Sequence, residues 1–422
     1  QDNTEGIQNT ALGADAMYTN TTGGTNVAVG FMSLYHNTTA NGNVGCGYQA
    51  LLSNTTGYNH VAVGRSALAG NTTGTNNTAI GFDALKANTT GYTNTAVGAY
   101  ALDSNTTGVD NTAVGVNVLS TTTTGSYNTG MGRNALNVST GSYNTALGAF
   151  CLDAATTASH NTGIGGGALG TVTTGYDNTG IGYNSGSSIT TGAFQTCVGR
   201  DAGKSHTTSS NNVFVGYAAG FTGTTGANNV YLGKNAAYAA TTGSNNICIG
   251  TNAAAYNTAF YTNYNSIMIG SHCHPGGNGN GNEIVLGYNI AGKGTNTFHV
   301  KASSGAYQSN NSSSWSTTSD ERIKKNIVNN DSGLDAINQI QVRNFEYRTE
   351  DEITDFKNPS VVKVKKEGTQ IGVIAQELEK ILPECVKTQN TGVKTVDPSD
   401  LTWYLINAVK ELSAKVTALE GK

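Results

Sequence analysis

Charge is the first thing this chain is short of: only 12% of its 422 residues are Asp, Glu, Lys or Arg, about half the usual share of a globular domain. Proline is nearly missing at four residues, and tryptophan at two. No run of about 18 apolar residues exists to span a bilayer, so no membrane insertion is expected. The first residues have no basic-then-apolar leader pattern, and without an initiator Met there is room for a leader already removed. A net charge of −4 gives no electrostatic reason for a nucleic-acid or anionic-membrane partner. The six cysteines (Cys46, Cys151, Cys197, Cys248, Cys273 and Cys385) stand singly. With no C-x-x-C pair there is no sign of a zinc or redox motif, and they read as small apolar fillers.

What the chain does have is glycine, 55 residues of it. Charge is also placed unevenly: residues 1–287 hold 16 of the charged residues and 288–422 hold 34. Two different materials meet near residue 290.

The first material is a repeat. Glycines from Gly13, Gly30 and Gly47 to Gly270 and Gly287 recur every 17 residues. One coil is a residue short (Gly132 to Gly148) and one is three long (Gly250 to Gly270), which gives 17 coils. Three residues before each anchor glycine stands Thr, Val or Ile, and one before it an aliphatic residue, Met or Cys. Those two point the same way on a strand. Between them lies a small residue (Ala28, Gly45, Ala79, Gly163), read as a face pressed against another surface. It grows to Phe214, Tyr231, Met268 and Val285, where the shaft should widen or change its packing. Asn precedes the strand in 13 of 17 coils and should stack into an amide ladder. An Ala-Leu pair follows the anchor in many coils, then a turn such as Asn54-Thr55-Thr56-Gly57, whose Asn and Gly suit positive φ. Asn-Thr-Thr at Asn20, Asn37, Asn54, Asn71, Asn88 and Asn105 forms formal glycosylation sequons, for which turn geometry is the simpler explanation. A coil this short cannot bury a core alone, so coils must stack. The repeat resembles the β-roll heads of trimeric autotransporter adhesins. The small-residue face suggests three rolls about one axis, with a single-chain solenoid as the alternative.

The second material opens with Ser319-Asp320-Glu321-Arg322-Ile323-Lys324-Lys325-Asn326-Ile327 and continues through Gly372-Val373-Ile374-Ala375-Gln376-Glu377-Leu378, Leu382-Pro383-Glu384 and Ala408-Val409-Lys410-Glu411-Leu412. These landmarks resemble the peptidase S74 family, the intramolecular chaperones that end phage tail spikes and fibres. The resemblance implies a domain that trimerises a fibre and then cuts itself off by a Ser–Lys dyad. Ser319 would be the nucleophile, Lys324 the base, and Thr318–Ser319 the scissile bond. A lysine base must be neutral, which asks for burial or a neighbouring cation such as Arg322 or Lys325. Residues five apart face differently on a helix and on a strand, so the dyad needs irregular backbone or a partner chain. Otherwise Ser319 is a helix N-cap with Asp320 and Glu321 in the first turn. Leu405, Val409, Leu412, Val416 and Leu419 alternate spacings of four and three, as in a coiled coil or a helix packed on its own domain.

His272 and His274, read as alternating residues of a strand, could place six imidazoles about a three-fold axis, a set suited to iron or another transition metal. Exposed loop histidines are the simpler reading.

The sequence therefore predicts a mainly β protein. Residues 1–287 form a trimeric β-roll or β-solenoid shaft, 288–318 a connector, and 319–422 a small α+β chaperone domain ending in a coiled-coil-like helix. The expected function is a homotrimeric tail fibre of a virion, or an adhesin at the cell surface, that binds a host receptor, glycan by expectation. A glycan-degrading tailspike is the enzymatic alternative. It needs two carboxylates held about 5–9.5 Å apart, and consecutive coils never repeat an acid at one offset. A freezing-hysteresis assay would test an ice-binding solenoid, suggested by the Thr-rich turns.

Overall fold

A computed structural model describes residues 3–255, 262–301, 324–330, 332–355, 364, 366–388 and 392–421. It divides into two compact units, 1–315 and 316–422.

The first unit is a β-solenoid. Eighteen short strands, from β1 (Thr10–Leu12) to β18 (Phe298–Lys301), form one parallel sheet in which each strand pairs with the next. The register never slips: Thr78 faces Thr95, Ala79 faces Ala96 and Ile80 faces Val97. The shortened coil keeps it too, with Thr129 opposite Thr145. At about 4.8 Å per layer, 17 anchor coils rise roughly 80 Å. β18 falls in the segment expected to be a connector.

The strand's inner face is the reverse of the one expected. From the strand Val27–Val29 to the strand Ile284–Gly287 the central residue is buried inside its own coil, and the residues before and after it point outward. The surface it presses on is the chain's own Ala-Leu pair. A Cβ on Gly163 would lie 2.4 Å from Cys151 Sγ, and one on Gly180 would lie 2.7 Å from Leu169 Cγ. The small-residue face is therefore core and cannot be an inter-chain axis.

Growth of the central residue changes the packing without changing the strand register. Phe214 and Tyr231 are buried in register with Cys197 and Cys248. The leucine four residues after the anchor meanwhile becomes Gly186, Gly203, Gly220 and then Ala237. A Cβ on Gly203 would come 2.6 Å from Phe214 Cδ2, and one on Gly220 2.9 Å from Phe214 Cδ1. Volume moves from one wall of the core to the other, as close packing requires.

The backbone of each coil is tuned to bond its neighbours. Asp83 (φ 54°), Leu85 (φ 51°) and Thr93 (φ 54°) show the three left-handed positions repeated coil after coil. A left-handed leucine costs about 1–2 kcal/mol, and full burial of its side chain returns about 1.5–3 kcal/mol. At the anchor only glycine serves: Gly64 has φ 135°, and a Cβ there would meet Gly81 O at 2.4 Å.

The expected Asn ladder is present and links adjacent coils twice. Asn94 N–H donates to Asn77 Oδ1 at 2.9 Å, and Asn94 Nδ2 donates to Gly108 O at 2.8 Å. A second ladder runs through the sequon asparagines, as in Asn88 Nδ2 to Asn71 Oδ1 at 2.8 Å. Asn20 to Asn105 are all buried, so these residues are interior hydrogen-bonding groups, not left-handed turn residues or glycan acceptors. The left-handed Asn lies further on, at Asn59 and Asn76 (φ 58° and 56°). Gly57 is needed for close approach: a Cβ there would stand 2.2 Å from Gly74 O.

The second unit is small. Helix α1 (Leu334–Gln339) precedes an antiparallel pair, β19 (Arg343–Phe345) with β20 (Gln370–Gly372). Helix α2 (Ala375–Leu378) and a 3-10 turn at Pro383–Cys385 lead to a second pair, β21 (Val386–Thr388) with β22 (Lys394–Val396), and then to α3 (Pro398–Glu420). Its core is Leu378, Leu382, Cys385 and Tyr404, walled by half-buried neighbours such as Ile337, Val373 and Leu401. A core this thin is a weak basis for independent stability.

Candidate functional site

The sequence landmarks of the second unit occupy its structural joints. Gly372 ends β20, where the Phe345 ring passes 3.3 Å from its Cβ direction. The run after it makes α2, and Glu377 on that helix takes a two-point ion pair from Arg343, Nε to Oε2 at 3.2 Å and Nη2 to Oε1 at 3.1 Å. The pair fixes β19 against α2 and raises the Arg343 guanidinium above its ordinary value. Leu382-Pro383-Glu384 forms the 3-10 turn, whose Glu384 accepts the Tyr404 hydroxyl. That contact, more than burial, pushes the Tyr404 phenol up. Glu411 of α3 accepts the Leu334 N–H at 3.2 Å, and Asn407 Nδ2 donates to Asn330 O at 2.7 Å, so one face of the helix is tied to its own unit.

The other face is not. Leu405, Val409, Leu412, Val416 and Leu419 are 43–71% exposed. Beyond Glu411 every described side chain of α3 is exposed. The seam is therefore not packed on its own domain.

Of the expected dyad, Thr318 and Ser319 lie outside the described residues, as does Arg322. Lys324 is described, at an exposed position. Residues 324–330 carry no helix or strand, and the stretch 319–323 that joins Ser319 to Lys324 lies outside the described residues.

His272 lies in the turn after β16 (Ile267–Ile269), whereas His274 makes an isolated parallel bridge to Ala291, so the two are not alternating residues of one strand. His272 is left-handed (φ 58°), with Nε2 3.0 Å from Asn252 Nδ2 and Nδ1 2.8 Å from Ser271 Oγ. His274 Nδ1 sits 3.2 Å from Pro275 O. Among the described residues no group of three or more His, Cys, Asp and Glu side chains could hold a metal ion.

Sequence reasoning missed two things in the shaft. One is Glu283, fully buried at the last ladder position, which accepts Gly294 N–H at 2.8 Å and Gly276 N–H at 3.2 Å. An acceptor-only side chain ends the ladder and pins the glycine-rich insertion. The other is the outer surface. The outward strand residues, including Val63, Ile80, Met131, Ile164 and Ile181, form an apolar stripe flanked on both edges by half-exposed aromatics. Tyr48, Phe82, Tyr183 and Tyr217 follow their anchors; Tyr92, Tyr127, Tyr143 and Phe194 precede the ladder asparagine or its substitute. The period-2 alternation was legible; which face turns inward was not.

Residues 319–387 match the Peptidase_S74 family model, described as chaperone of endosialidase. The likeness to this family is confined to that segment. The long tail fiber proteins Gp37 of Enterobacteria phage M1 and of Enterobacteria phage Ox2 are each 31% identical over 106 residues, 24% of this chain. The match spans 38% of each relative's length. Among the described residues no helix is long and apolar enough to cross a membrane.

Proposed function

We propose that this chain is the subunit of a homotrimeric phage tail fibre, with the solenoid as shaft and the peptidase S74 module as the chaperone that brings three chains together. The observation that carries this is the seam of α3. Five regularly spaced aliphatic side chains are left in water by the single chain, in the a/d pattern that three parallel helices bury. The thin core beneath them gives the same indication. The likeness to the Gp37 fibres supplies the setting, a virion tail, and with it a host receptor, for which a surface glycan is the natural partner of a weakly charged, hydroxyl-rich shaft.

The module would then release itself. Ser319 attacks the Thr318 carbonyl carbon, its proton passing to Lys324. The peptide C–N bond breaks, and that proton leaves with the new amino group on Ser319; water completes the hydrolysis of the ester. Lys324 is exposed in the single chain, so the trimer has to supply the surface that covers it. The test is mass spectrometry under denaturing conditions after prolonged incubation. The wild type should give fragments ending at Thr318 and starting at Ser319. Ser319→Ala should remain one intact chain. An intact wild-type mass would make the module a retained trimerisation domain.

A transition-metal ion shared by His272 and His274 of three copies belongs to the same reading. It requires His272 to exchange its Asn252 or Ser271 partner for the metal. Elemental analysis of chelator-washed protein reads this directly, as one ion per three chains or none.

A further inference from the structure

The charges of the shaft are sorted onto two edges of the outward strand face. The residue just after the anchor is exposed and is a cation in four coils: Arg65, Arg133, Arg200 and Lys234. It is never an acid. The residue five before the anchor is an acid in two coils, Asp110 and Asp177, both exposed, and is never Lys or Arg. These two positions bracket the strand, one at each corner.

The two acids stand in one relation to two of the four cations, while Arg65 has Gly42 at that offset. Asp110 precedes β7 (Thr112–Val114) and Arg133 follows β8 (Thr129–Met131); Asp177 precedes β11 (Thr179–Ile181) and Arg200 follows β12 (Thr196–Val198). Each acid on one edge therefore has a cation one coil further along on the other, a rise of about 4.8 Å that an arginine side chain covers. Asn211 stands in the same relation to Lys234. The cations are held out in position by their own edge. Arg200 lies between Tyr183 and Tyr217 at 5.8 and 5.9 Å, and Arg65 between Tyr48 and Phe82 at 5.9 and 5.3 Å. Arg200 also bonds Asp201 through Nε at 3.2 Å while its side chain stays 63% exposed.

We infer that these edges are mating surfaces between copies of the chain: the cationic edge of one shaft lies against the acidic edge of the next, with Arg133 on Asp110 and Arg200 on Asp177 of the adjacent copy. The strand faces then turn toward a common axis. This rests on the trimeric reading and adds to it which face is inside, the direction of the chains and their axial register. Copies running in the same direction about an axis along the shaft bring unlike edges together; an antiparallel pairing would set cation on cation. Between the edges the aliphatic, Met or Cys residue before each anchor forms an outward row along the shaft, with Val63, Ile80, Met131, Ile164 and Ile181 among its exposed members, a contiguous apolar patch of the kind that marks an interaction surface. The aromatic rows on both edges would cover one another at the seam.

Cross-linking in the full-length chain tests this, in a Cys46→Ser background that removes the half-exposed thiol. Asp177→Cys with Arg200→Cys should give, on mild oxidation, covalent species at two and three times the chain mass on non-reducing gels. Thr73→Cys, on the exposed turn away from the strand face, should give none. A second arm uses charge. Asp177→Arg should lower the trimer's resistance to urea, and adding Arg200→Asp should restore it. A native trimer that fails to cross-link and ignores the charge reversal overturns the edge pairing alone. A native monomer mass overturns the trimeric reading and the pairing with it.

Discussion

His60 accepts the backbone N–H of Asn77 on Nδ1 at 3.2 Å, while its Nε2 lies 2.8 Å from Gly74 O. In adjoining coils an Asn side chain makes both bonds, so the imidazole is an amide substitute, neutral by construction. Burial lowers its pKa to about 4, and does the same to His206, whose ring packs 4.5 Å from Phe214.

Acid lability follows. Between about pH 6.5 and pH 4 the unfolded chain binds protons at these histidines that the folded chain does not, so stability falls as pH drops through that window. A lowering from 6.5 to about 4 is worth about 3 kcal/mol for each histidine. Half-buried Asp103 and Asp153, whose pKa values are raised by desolvation, act with the opposite sign. His60→Asn should restore the ladder and move the midpoint of acid unfolding, followed by circular dichroism, to lower pH. An unmoved midpoint would show that His60 is not a determinant.

The anchor glycines should tolerate no side chain. Gly64→Ala combines a glycine-only φ with a Cβ 2.4 Å from a carbonyl oxygen and should cost at least about 3 kcal/mol. Denaturant unfolding would measure it. A cost under 1 kcal/mol would contradict the stacking geometry.

The exchange of volume across the core is testable as a pair. Phe214→Ala should cost about 3–5 kcal/mol by leaving a cavity. Adding Gly220→Leu, at a backbone conformation (φ 62°) close to that of Leu85 (φ 51°), should recover much of the loss by recreating the Ala–Leu core of earlier coils. A double variant no more stable than Phe214→Ala would mean the two sites do not share the space.

Much of this fold could be read from the chain because a repeat aligns with itself. Seventeen copies of one pattern revealed the strand, the anchor and the Asn ladder without a second sequence. The direction of the strand face could not be read, since Ala79 between Thr78 and Ile80 fits either a tight coil interior or a tight inter-chain axis. Only the burial of Ala84 and Leu85 decides between them. The sequon asparagines misled for a related reason: Asn in a Gly-rich turn suggests positive φ, whereas here its amide is drawn inward by the coil beneath. In the terminal module the landmarks were legible as motifs, but their joints, such as Arg343 on Glu377, span 34 residues and leave no local signal.

The α3 seam offers a separate handle on assembly. Val409→Asp with Leu412→Asp places charges at the centre of the exposed row and, if three helices bury it, should prevent trimer formation while leaving Tyr404 on Glu384 and Asn407 on Asn330 undisturbed. Static light scattering would report the loss. An unchanged oligomer would remove α3 from the assembly.

The most direct test of the central claim is the native mass of the Ser319→Ala chain, which keeps shaft and module together whatever the wild type does. Light scattering at micromolar concentration should give about 130 kDa, three times the 43.5 kDa chain. A mass near 43.5 kDa would contradict the account.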